Sequence, residues 1–100
     1  MKDLGAIINV LKELLPELRD RFGVSKIAVF GSFSKGSQTK DSDIDIYVEF
    51  DKVPGLKFME LAEFLENALG KKVDLITPIG LKTIRNRKVK EDIERTLTYV

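Results

Sequence analysis

The sequence predicts a small α/β domain of the α+β kind, a mixed sheet with helices packed on one face. Three observations carry this. Leu4, Ile7, Ile8, Leu11, Leu14, Leu15 and Leu18 recur at helical spacing. Residues 43–50 alternate strictly between polar and apolar. Beyond them a helix-like, a strand-like and another helix-like segment follow in turn, so the order is α-β-loop-β-α-β-α. One hundred residues without a linker or internal repeat are expected to form a single domain over 1–100.

Asp3 can cap the first helix from Leu4, and Gly23 is placed to end it. Pro16 should break, kink or restart that helix near Leu15, because proline removes one backbone donor and crowds the preceding turn. Lys26 to Phe30 is a short, mostly apolar run, expected as a buried strand. Gly31 to Ser42 is polar and rich in Gly and Ser, a loop with room for one helical turn. In the strand from Asp43 to Phe50, Ile44, Ile46, Val48 and Phe50 share one face; Asp43, Asp45, Tyr47 and Glu49 share the other.

Val53-Pro54-Gly55 is expected as a turn, and Leu56 to Leu69 as an amphipathic helix closed by Gly70. Lys72 to Thr77 is the third strand, with Val73 and Leu75 on one face and Asp74 and Ile76 on the other. Pro78 and Gly80 should form the next turn. Ile84, Val89, Ile93 and Leu97 point to a last helix, firmest from about Val89.

Composition narrows the chemistry. Seventeen Lys and Arg against 16 Asp and Glu give a net charge of +1, which argues against broad electrostatic binding to nucleic acid or anionic membrane. No cysteine means no disulfide and no thiolate metal site. No histidine removes imidazole-ligated zinc, the commonest general base and the Ser-His-Asp triad. Any metal must be held by oxygen, which favours Mg²⁺, Mn²⁺ or Ca²⁺. The Met1-Lys2-Asp3-Leu4 start does not read as a signal peptide and no apolar run is long enough to span a membrane, so a cytoplasmic location is expected.

The chemistry is concentrated between residues 31 and 45. Asp43 and Asp45 project from one strand face and repel each other unless a cation lies between them. A divalent metal meets that need, and two ions about 4 Å apart can share such a pair. Asp74 is a third carboxylate in an apolar strand, costly there unless paired or metal-bound. If its strand lies beside 43–50, the three acids meet. Gly31 permits a tight turn close to a ligand, and the Ser32 hydroxyl can bind phosphate oxygens. Lys35, Lys40, Arg85 and Arg87 are candidate counter-charges among which spacing does not choose. The basic run from Lys82 to Lys90 reads as a solvated helix face or as a nucleotide or partner contact. Tyr47 has the carboxylate face in common, with a base contact and a packing role both open.

Two other motifs are excluded. Gly31 and Gly36 have P-loop spacing, but Ser37-Gln38 stands where Lys and Ser or Thr are required. Asp41, Asp43 and Asp45 have the first EF-hand spacings, but Ile46 replaces the turn glycine and Lys52 the bidentate acid.

Gly31-Ser32, ten residues and Asp43-Ile44-Asp45 resemble the G-S-x₁₀-D-x-D signature of the polymerase-beta-type nucleotidyltransferase superfamily. With Val29-Phe30, Ser42 and the Lys72-Val73-Asp74-Leu75 strand, the stretch is similar to its minimal nucleotidyltransferase (MNT) group over roughly residues 5–97. Ser34-Lys35-Gly36 departs from the Ala-Arg-Gly of many relatives, keeping the charge without the bidentate fork. The resemblance implies the nucleotidyltransferase fold. It also implies that Asp43, Asp45 and Asp74 are catalytic and hold two Mg²⁺ ions, with Gly31 and Ser32 binding the nucleotide. It implies transfer of AMP from ATP to a protein hydroxyl, a tyrosine of a HEPN-domain ribonuclease toxin, by an antitoxin that forms homo- or hetero-oligomers and does not bind nucleic acid directly. The alternative is a non-catalytic antitoxin that neutralises a HEPN partner by contact.

Overall fold

The computed structural model describes residues 3–52 and 55–100. Met1 and Lys2 lie outside that range, as do Val53 and Pro54 and with them most of the expected Val53-Pro54-Gly55 turn. Helix α1 (Leu4–Phe22) is capped by Asp3, whose Oδ1 accepts from the Ala6 N–H at 2.9 Å. Gly23 ends it in the left-handed conformation, φ 69°. Strand β1 (Val24–Phe30) runs into a single helical turn, α2 (Ser32–Lys35), and the chain returns as β2 (Ile44–Phe50). Helix α3 (Lys57–Leu69) crosses to β3 (Val73–Ile76), and two short helices, α4 (Pro78–Lys82) and α5 (Arg87–Thr96), lead to β4 (Thr98–Tyr99).

The sheet order is β3-β2-β1-β4. β1 is antiparallel to both β2 and β4, while β2 and β3 are parallel, joined through α3 as parallel neighbours require. The sheet is therefore mixed, as expected. α1 and α3 cover one face, where Ile7, Leu11, Leu18, Leu61 and Leu65 bury against Ile27, Val29, Ile44, Ile46 and Val48. A smaller cluster fills the other face: Ala28, Phe30 and Tyr47 against Leu81 of α4 and Ile93 of α5. Val24 and Ile27 are three residues apart yet share the first cluster, because a register shift between Val24 and Lys26 inserts one residue into the strand.

Three local expectations change. Pro16 neither ends nor restarts α1, which continues for six residues beyond it. An interior proline costs about 3 kcal/mol, whereas burying Leu18 and Phe22 beyond it returns about 1.5–3 kcal/mol each. Pro78 and Gly80 form not a turn but the start of α4, where proline's missing donor is harmless at the first helical position and Thr77 Oγ1 accepts from Gly80 N–H at 3.2 Å. The last apolar register divides. Ile93 is buried, Val89 is 47% exposed, and Leu97 lies past the end of α5. Strand β4, two residues long, carries no sequence signal of its own.

Candidate active site

Asp45 lies at the centre of a row across the sheet. It stands opposite Phe30 in the antiparallel β1–β2 pairing and opposite Asp74 in the parallel β2–β3 pairing. The expected meeting of these two acids is therefore set by strand register. Asp43 precedes the strand rather than opening it, two residues before Asp45, and is exposed, as is Asp74. Asp45 is half-buried. Burial first, then the charges of Asp74 and Asp43, push its carboxyl up to about 6 from an ordinary 3.8, with Lys35 pulling the other way.

Gly31 turns the chain out of β1 with φ 74° and ψ −146°. A Cβ at that position would collide with the Asp45 carboxylate, so the glycine is required twice over, for conformation and for space. The turn is also held from behind. Gly31 N–H donates to Thr96 Oγ1 at 3.2 Å, and Thr96 in turn donates to the Asp92 carbonyl at 2.8 Å. Ser34 Oγ donates to the Val29 carbonyl at 2.9 Å and lies 2.9 Å from Thr98 Oγ1. Phe33 is buried beneath the turn. Ser32 opens α2 beside Gly31 and remains part-exposed.

The candidate counter-charges separate. Lys35 Nζ pairs with Asp92 Oδ2 at 3.1 Å, and Arg95 with Asp92 Oδ1 at 2.9 Å. Those two cations hold the Asp92 carboxyl below its ordinary range. Lys40 lends only its backbone carbonyl, to Lys71 Nζ at 2.8 Å. Arg85 and Arg87 are exposed. Tyr47 is no base-stacking surface. It is 6% exposed, its hydroxyl donates to Glu49 Oε2 at 2.7 Å, and its ring meets Tyr99 edge-on at 6.4 Å.

A cleft of about 410 Å³ opens beside Asp45, lined by Phe30, Gly31, Asp45 and one face of α5, Lys88, Val89, Asp92 and Ile93. Clefts at Leu15–Val24–Tyr99 and at Arg19–Asp51–Lys57 contain no residue of the 31–45 segment. Sequence reasoning reached Lys88 and Val89 only as members of the basic run over 82–90, and missed Asp92, Thr96 and Thr98. Their residue types carry no motif, and only tertiary pairing brings Thr96 to Gly31 and Thr98 to Ser34, 65 and 64 positions earlier.

The donor set suits a hard divalent cation. The candidate ligands are carboxylates only, and Asp45 is destabilised as an anion by burial first and then by two like charges, which a cation would neutralise. Among the described residues, no three acidic side chains already converge as a ready-made cage, and Asp43 and Asp74 are both exposed.

A nucleotidyltransferase domain model matches residues 11–99. The chain belongs to that family. It is 48% identical to a protein of Methanocaldococcus jannaschii provisionally named a protein adenylyltransferase, over all of both chains. It is 43% identical to the protein adenylyltransferase MntA of Thermococcus cleftensis, over all of this chain and 98% of that one. A solved structure described provisionally as a minimal nucleotidyltransferase superposes with a TM-score of 0.70 at 28% identity, over 96% of this chain and 94% of that one. A toxin–antitoxin crystal structure with AMP-PNP gives 0.66 at 30% identity, over 91% and 69%. The expected mixed sheet and nucleotidyltransferase fold are thus the fold found, with α4 and α5 covering the second sheet face in addition to the one expected, and membership places the chain among enzymes that transfer nucleotides.

Proposed function

We propose that this chain is a protein adenylyltransferase acting as an antitoxin. It transfers AMP from ATP to a tyrosine hydroxyl on a HEPN-domain toxin with which it forms a hetero-oligomer in the cytoplasm. The observation that carries this reading is the Asp45–Asp74 register pair with Gly31 pressed against Asp45. Relatives named as protein adenylyltransferases, and a related toxin–antitoxin structure holding an ATP analogue, support the substrate and the partner class. We read residues 1–100 as one domain. Among the described residues no helix is long and apolar enough to cross a membrane.

In this reading Asp43, Asp45 and Asp74 are the residues that would hold two Mg²⁺ ions. The ions, when bound, supply charge neutralisation for the triphosphate and for the attacking oxygen. Gly31 lets the nucleotide phosphates approach the backbone, and Ser32 offers its hydroxyl to them. The acceptor oxygen bonds to the α-phosphorus, the bond from that phosphorus to the β-phosphate oxygen breaks, pyrophosphate departs, and the phenolic proton passes to solvent. In-line geometry is the main demand on the protein, and the fixed register of β1, β2 and β3 supports this reading.

The test is incubation with α-labelled ATP, Mg²⁺ and the protein encoded beside this one. Label should appear on the partner and disappear with Asp43→Asn plus Asp45→Asn. Toxin neutralisation by that double variant, without transfer in the wild type, would instead establish the stoichiometric-binding alternative.

A further inference from the structure

Residues 82–90 hold Lys82, Arg85, Arg87, Lys88 and Lys90 and no acid. The remainder of the chain has 17 − 5 = 12 basic against 16 acidic residues, a net charge of −4. The five cations are exposed, apart from the half-buried Lys90, and among the described residues none pairs with a carboxylate within 4 Å. Lys88 and Val89 form a wall of the same cleft that Asp45 and Gly31 line. The placement also works against the helix. Arg87 and Lys88 occupy the first turn of α5, where the macrodipole disfavours cations by a few tenths of a kcal/mol or more each. α5 holds on through Ile93, Asp92 and Thr96 in its other half. Fold stability therefore gives no reason for these cations, and a charged ligand does.

We infer that the basic rim at Arg85, Arg87 and Lys88 docks an acidic segment of the protein substrate, so that the acceptor hydroxyl is flanked by Asp or Glu as it enters the Asp45 cleft. This rests on the adenylyltransferase reading above and adds the character of the acceptor. Val89, apolar, 47% exposed and part of the cleft lining beside Lys88, offers a seat for the acceptor's side chain. A polyanionic nucleic acid fits less well. Outside residues 82–90 the chain is net negative, and two carboxylates, Asp45 and Asp92, line the cleft. The ATP triphosphate belongs across the cleft, at Gly31 and Ser32.

The test measures binding apart from transfer. A fluorescein-labelled peptide with one tyrosine between glutamates is compared by anisotropy with a lysine-flanked version and a single-stranded oligoribonucleotide. The acidic peptide should bind at least about tenfold tighter than the basic one and weaken with added salt. Arg85→Gln with Arg87→Gln and Lys88→Gln should abolish that preference while ATP affinity stays within about twofold. The inference is overturned if flanking charge does not matter, if the triple variant loses ATP affinity to the same extent, or if the oligoribonucleotide binds tighter than the acidic peptide. Charge-selective peptide binding without AMP transfer would support the docking rim and count against the enzymatic reading.

Discussion

Gly31 and Asp45 pack so closely that no side chain fits on the glycine beside the carboxylate. Gly31→Ala should therefore introduce both a clash and a φ of 74° that L-residues avoid. The expected cost is about 1–3 kcal/mol of stability, with AMP transfer reduced by more than about tenfold because the turn and Asp45 must separate. Thermal unfolding and labelled transfer check this. An alanine variant with wild-type melting and activity would sink the claim that the contact is obligatory.

Asp45 makes the fold pH-sensitive in a direction opposite to that of most acids. Its carboxyl is raised to about 6 in the folded state, from 3.8. As pH rises from about 4 to 6 the unfolded chain releases its proton first, so stability falls across that window and stays lowered above it. Asp45→Asn should thus stabilise the metal-free protein at pH 7.5, by an amount on the order of 1 kcal/mol after allowance for solvent screening. At pH 3.5 the two proteins should be equal. Urea unfolding in EDTA at both pH values measures it.

Millimolar Mg²⁺ should raise the melting temperature of the wild type at pH 7.5 and leave Asp45→Asn unmoved, since the ion relieves the repulsion that the amide no longer has. An equal rise in both proteins would place the ion elsewhere.

These expectations rest on features that were unevenly legible in the sequence. Asp45 and Asp74 could each be assigned to a strand face in advance, because phase is a local property, whereas their pairing hung on β3 lying beside β2, which is a tertiary matter. The Gly31 turn was legible because the spacing to Asp43 and Asp45 is a motif. Thr96 and Asp92 were not, since ordinary polar residues on a polar helix acquire a role only when β4 pairs with β1. Pro16 misled for a related reason. A local rule foresaw a break, a kink or a restart, and with Leu18 and Phe22 buried beyond it the helix neither breaks nor restarts.

Thr96→Val keeps the shape of the side chain and removes the acceptor of the Gly31 N–H. Leaving that donor unpartnered should cost about 1–2 kcal/mol and lower transfer, while Thr96→Ser restores both. If valine behaves as serine does, the Thr96 bond does not position the turn.

Leu65→Ala empties a fully buried site on α3, on the opposite sheet face from α5. It should destabilise by about 2–5 kcal/mol. The folded fraction, isolated at low temperature, should transfer AMP at close to the wild-type rate. A defect in that fraction would show that the core transmits to the site.

The two bonds from Thr96 and Thr98 back to Gly31 and Ser34 close loops of 65 and 64 residues. The acids, by contrast, are aligned by strand pairs formed from residues much nearer in the chain. Loop closure of that span is slow relative to local pairing. A nascent chain can thus have its carboxylates in register before residues 96–98 are available to fix the turn. Catalytic competence is consequently acquired late, and the emerging chain has its acids in place before it can use them.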